Sequence, residues 1–177
     1  MRFTDFLRVS VLLFGGSATV LATVAIAGAT VDDNRTLMYV AVGWWTIAAI
    51  GGLWLGRRLE PTPGIARLLA GARATNTLPE IEPAVIIFNR LWALAVSTVL
   101  AGAVAFLFPQ VPAIAAGYAI GIALTWRKQS AGVQAIEDRD GARFYVDRGS
   151  PFGAPKLVRT PGLRKVEPVP GATAPLR

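Results

Sequence analysis

Few residues in this 177-residue chain are suited to chemistry. There is no histidine, so the usual general base near neutral pH and the commonest metal ligand are both missing. There is no cysteine, which removes disulfides, thiolate nucleophiles, zinc–thiolate sites and iron–sulfur clusters within the chain. The carboxylates are scattered. Glu60, Glu80 and Glu82 share one loop and would be the acids of a membrane enzyme acting on lipid. Asp32-Asp33-Asn34 offers three oxygen-bearing side chains on a short turn, few against the roughly six to eight oxygens calcium takes. Helix termination is the stronger reading there, because Asx residues favour turns. No Gly-rich phosphate loop, nucleophile elbow or His-based metal spacing occurs. No catalytic, cofactor-binding or metal site is expected.

The basic residues are more telling. Eighteen Lys and Arg stand against 11 Asp and Glu, a formal charge of +7, and only Lys128, Lys156 and Lys165 are lysines. The arginine and alanine bias matches a GC-rich bacterial coding sequence. A basic tail can bind nucleic acid. In a chain already held in a membrane, anionic inner-leaflet headgroups are the better partner, each basic residue near the surface contributing about 1 kcal/mol. Nucleic acid is not expected as a partner.

Those charges are confined by four uncharged, apolar runs, at 9–31, 37–56, 91–108 and 111–126. Lipid leaves no backbone amide a water partner, so such runs must be helices. The third helix is free to begin as early as Ala84, after Pro83. Pro109-Gln110-Val111-Pro112 reads as the tight turn of a helical hairpin. The fold expected is an all-α polytopic membrane protein with four transmembrane helices in two hairpins. Residues 1–126 form the transmembrane domain, including an inner loop at 57–90, and residues 127–177 form a basic tail. A secretory signal, cleaved after Ala25-Ile26-Ala27 or Ala27-Gly28-Ala29, is the rival reading of the first run. That run exceeds the h-region length of about 7–15 residues, and Asp5 precedes it.

Counting basic residues in alternate flanks puts 17 on one side and one, Arg35, on the other. The positive-inside rule then places both termini in the cytoplasm of a multi-pass plasma (inner) membrane protein. Trp54, Trp92 and Trp126 lie beside Arg57 and Arg58, Arg90, and Arg127 and Lys128 respectively, where an indole can bury its ring and hydrate its N–H. These eight residues are the expected interface anchors. Trp44 and Trp45 fall mid-helix and read as packing or lipid contacts.

Small residues four apart form the strongest pattern. Gly52 and Gly56 make one GxxxG and Gly117 and Gly121 another, which lets backbones approach closely within a bundle or between subunits. Outside the runs, Ile65, Leu68, Leu69 and Ala72 share one helical face, expected to lie on the membrane surface. Val133 to Arg148 alternates about Asp140-Gly141, a type I′ turn pair, predicting a small cytoplasmic β-hairpin at 133–148. The stretch Gly149–Lys165 is expected to meet anionic headgroups or an acidic partner, and 166–177 to be disordered. These features favour a non-enzymatic accessory or scaffold that presents its loop and tail to a membrane-protein partner or a second copy. The alternative is a small channel or transporter subunit lined by backbone, Ser and Thr, acting as an oligomer. A lipid-acting enzyme is the lesser one.

Overall fold

A computed structural model of the chain describes residues 1–31, 33–58, 60–75, 82–147 and 156–161. The expected disordered tail 166–177, Glu80, and all of Gly149–Lys165 except 156–161 lie outside the described residues. The protein is mostly helical with one small sheet. Its elements run α1 (Phe3–Val31), α2 (Arg35–Leu55), α3 (Pro63–Ala70), β1 (Arg73–Ala74), α4 (Pro83–Val104), α5 (Gln110–Trp126), α6 (Gln129–Asp140), β2 (Ala142–Val146) and β3 (Leu157–Pro161). Three of them, α1, α2 and α4, are long and apolar enough to cross a membrane. α5 has 17 residues, a length of about 26 Å.

α1 and α2 both pack on α5, and α4 sits at the edge with only Ile86 and Ala101 buried. Where α1 turns into α2, Asn34 accepts a hydrogen bond from Leu37 N at 3.0 Å and satisfies one of the amides left over at a helix start. Asn34→Ala is expected to cost about 1 kcal/mol, read as a lower detergent melting temperature.

At one end of the bundle a second core forms. Phe3, Phe6 and Leu7 of α1, Ile65 of α3, Ile86 of α4, Val133 of α6, Phe144 and Val146 of β2, and Leu157 of β3 bury one another. α1 explains how this is possible. At 29 residues it is about 43 Å long, against about 30 Å of hydrocarbon, so its first turns project beyond the apolar run into this cap. The sheet has the order β1-β3-β2, with β3 parallel to β1 and antiparallel to β2. Val146 N donates to Met1 O at 3.1 Å and Arg2 bridges Tyr145, so the chain start covers the free edge of β2.

Two sequence expectations are corrected here. Residues 133–140 are not the first strand of a hairpin but the body of α6, whose buried Gln129, Ser130, Val133 and Glu137 recur at helical spacing. Gly141, at φ 61°, supplies the left-handed residue that ends this helix rather than a type I′ turn, and both structures ask for the same residue. The strand that follows pairs with Leu157–Pro161 instead. The amphipathic helix of the inner loop does form, but its apolar face turns to the cap core: Ile65 is buried and Leu68, Leu69 and Ala72 pack against that core.

Candidate functional site

The glycines of the two GxxxG pairs meet along the α2–α5 seam. A methyl group on Gly52 would fall 2.8 Å from Gly121 O and 2.9 Å from Leu124 Cβ. One on Gly56 would overlap Leu124 O and lie 3.0 Å from Thr125 Cα. Gly117 faces the Trp44 indole, which would occupy the same space as a Cβ there, whereas Gly121 leaves 3.7 Å to Ala48 O. The absent side chains let both mid-helix tryptophans reach α5: Trp44 Nε1 donates to Ile114 O at 3.1 Å and Trp45 Nε1 to Ala113 O at 2.8 Å. Tyr118 and Trp44 pack in a T-shaped contact, ring centroids 5.3 Å apart. This seam is structural. It offers no reactive group.

The predicted anchors lie where the bundle meets the cap. Arg57 stacks over the exposed Trp54 ring at 5.6 Å, and Lys128 Nζ reaches Arg57 O at 3.4 Å, tying the ends of α2 and α5 together. Trp126 packs edge-on to Phe14 and against the cap core. Arg58 and Arg127 are exposed, and Arg90 and Trp92 are half-buried on α4. Gln129, almost fully buried, accepts from Thr62 N at 3.0 Å and so fixes the start of α3 against the α5–α6 junction.

Inside the cap stands a carboxylate that sequence reading did not single out. Glu137 is buried, with no side-chain exposure, and accepts from Arg2 Nη2 at 2.9 Å, Phe144 N at 2.9 Å and Arg143 Nη1 at 3.4 Å. Its hydrogen bond holds the Arg2 guanidinium above the usual arginine range, so Arg2 keeps its charge. The two partners lie 135 residues apart, a separation no local pattern reveals. With both carboxylate oxygens accepting from cap donors, Glu137 acts as a pin rather than a catalyst.

Glu60 and Glu82, the described members of the acid trio, are exposed, and neither has an ion-pair partner among the described residues. No group of three metal-ligating side chains occurs among the described residues. Between the helices, a 430 Å³ cavity lies against α1 and α5 and one of 260 Å³ among α1, α4 and α5. Neither is lined by an Asp, Glu, Lys or Arg, and the hydroxyls of Thr19, Thr23, Ser97 and Thr98 bond carbonyls of their own helices.

One cleft is different. A 270 Å³ cavity on the cap is lined by Arg67 of α3 and Gly71 just after it, Arg73 of β1, Asp147 just after β2, and Lys156 and Val158 at β3. The β1–β3 pairing, with Arg73 opposite Val158, brings the inner-loop arginines to the tail lysine. Asp147 N donates to Lys156 O at 2.9 Å and closes the far side. Arg67, Arg73 and Lys156 have no ion-pair partner among the described residues. Three cations face one carboxylate, an arrangement suited to an anion. Sequence reading grouped these residues by side of the membrane but had no means of joining 67, 73 and 156 into one cleft. In comparisons with known proteins, the chain matches no family model, no curated protein and no solved structure.

Proposed function

We propose that the chain is a four-span protein of the plasma (inner) membrane with both termini in the cytoplasm, serving as a non-enzymatic accessory that holds a folded, basic cap at the inner face for a membrane-protein partner and anionic lipid. The observation that carries this is the shared cap core. It joins residues before the apolar part of α1, between α2 and α4, and after α5. Segments that share one core lie on one side of a bilayer, so the helices between them cross in pairs: α1 with α2, and α4 with α5. The parity supports reading the 17-residue α5 as the fourth span and is independent of charge counting. Charge then orients it, because 17 of 18 basic residues fall on the cap side.

The same core argues for retention of α1. Cleavage near Ala27 would take Phe3, Phe6 and Leu7 from the cap and Leu21 and Ala25 from the bundle. Built, charged features concentrate at the cap rather than between the helices, which favours an accessory over a conducting role. The test is topological. A reporter active only outside the membrane is expected to be silent when fused after Arg177 and active when inserted at Asn34. Activity at Arg177 overturns the orientation, and activity at neither or both sites overturns the pairing.

A further inference from the structure

We infer that the cleft between α3 and β3 is a binding site for the phosphate of an anionic phospholipid headgroup, an inference that rests on the cap lying at the inner face. Arg67, Arg73 and Lys156 come from three separate segments, and the fold gathers them around one cavity with a single carboxylate, Asp147. Like charges brought together repel. An anion between them relieves that repulsion, and the surplus of positive charge selects a headgroup that is itself net negative. Arg67 sits in the last turn of α3, where a cation also offsets the helix dipole. That account does not extend to Arg73 or Lys156, which lie on the strand side of the cleft.

Chemistry and size narrow the ligand. Guanidinium groups present planar forks of donors to phosphate oxygens, and an ammonium adds a point charge. At 270 Å³ the cleft is far larger than the roughly 30 Å³ share of a water and just below the roughly 300 Å³ at which small-molecule pockets begin. It therefore suits a headgroup and not a whole lipid. Leu68, Leu157 and Val158 give it an apolar wall for the glycerol carbons.

Position selects a lipid over a free ion. Thr62, at the start of α3, is bonded to Gln129, three residues beyond the end of α5. Arg67 follows only four residues after Pro63, about 6 Å along the helix. The headgroup layer is about 5–8 Å deep on each side of the hydrocarbon. A cation fixed this close to the bundle end is within reach of a phosphate in the leaflet.

The experiment uses the full chain purified in detergent, with retained lipid counted by native mass spectrometry after incubation with phosphatidylglycerol or phosphatidylcholine. Phosphatidylglycerol is expected to be retained over phosphatidylcholine. Arg73→Gln with Lys156→Gln should cut that retention roughly 30-fold, the combined effect of two surface cations. Arg139→Gln, a control at a side chain paired with Asp140 on α6, should leave retention unchanged. Arg73→Lys with Lys156→Arg keeps the charge, and its retention of lipid would show that the loss is not misfolding. Equal retention of both lipids, or of phosphatidylglycerol by wild type and the double Gln variant, overturns the site. Inorganic phosphate bound alone as tightly as the lipid would assign the cleft to a soluble anion and overturn the lipid assignment. The topology reporters separate the two readings: inverted reporters remove the inner-face cap itself, whereas correct reporters with unchanged lipid retention remove only the cleft.

Discussion

Arg2→Met is expected to loosen the cap more than Glu137→Ala, although both remove the same ion pair. The asymmetry follows from burial. Glu137 has no side-chain exposure, whereas Arg2 and Arg143 keep 37% and 40% of theirs. Without Arg2, the carboxylate stays buried with Phe144 N and the longer Arg143 contact, and an under-compensated buried charge costs about 3 kcal/mol, the low end for such a loss because Arg143 can close in. Without Glu137, both arginines swing into water, and the main loss is the stranded amide of Phe144, about 2 kcal/mol. Glu137→Gln should be milder than either, since its amide oxygen still accepts from Phe144 N. Hydrogen exchange of the full chain in a bilayer disc is the measurement. Amides of α6 and β2 should exchange faster in Arg2→Met than in Glu137→Ala, with those of α2 unchanged. The reverse order would make the Phe144 bond, not the ion pair, the pin of the cap.

Arg2 also marks the limit of what was legible. The apolar runs identify the four long bundle helices because lipid-thickness hydrophobicity is a local property, read from some 20 consecutive residues. The glycine pairs were legible for the same reason: Gly52 and Gly56 are four apart, and a helix stacks such positions on one face. The cap was not. Its core is assembled from Phe3, Ile65, Ile86, Val133, Phe144 and Leu157, one from each of six elements spread along the chain from α1 to β3. Phe3 to Leu7 stand among the charged Arg2, Asp5 and Arg8, ahead of the first apolar run, yet Phe3 and Leu7 are each 2% exposed. Gly141 shows a subtler failure. The sequence demanded a left-handed residue there, and the structure has one, but a helix end and a hairpin turn make the same demand. The alternation that favoured a strand over 133–140 competed with buried positions at helical spacing, and packing of Val133 and Glu137 decided it. The cleft depends in turn on β1–β3 pairing across more than 80 residues, so its ligand chemistry could be read only after the fold.

Gly117→Ala is expected to disrupt the bundle, while Gly121→Ala, four residues further along the same helix, is expected to leave it nearly unchanged. Sequence pattern treats the two glycines alike. Structure does not. A Cβ at Gly117 would coincide with the Trp44 indole, and that ring cannot simply swing away, because its Nε1 bonds Ile114 O and it packs in a T-shaped contact with Tyr118. A Cβ at Gly121 finds ordinary contact distance, 3.7 Å, to Ala48 O. Gly52→Ala resembles the first case, with the new methyl 2.8 Å from backbone oxygen that can yield only by moving α5. Overpacking of this kind costs about 1–3 kcal/mol. Forcing Trp44 out of place adds the loss of one indole hydrogen bond, about 1 kcal/mol. The order of detergent melting temperatures should therefore be Gly117→Ala below Gly52→Ala, with Gly121→Ala close to wild type. Trp44→Ala combined with Gly117→Ala supplies the decisive comparison. If the clash with the ring is the cause, the tryptophan change should cost less in the Gly117→Ala background than alone, a coupling that double-mutant analysis reads directly. Additive losses would mean that Gly117 is needed for its backbone and not for the space it leaves.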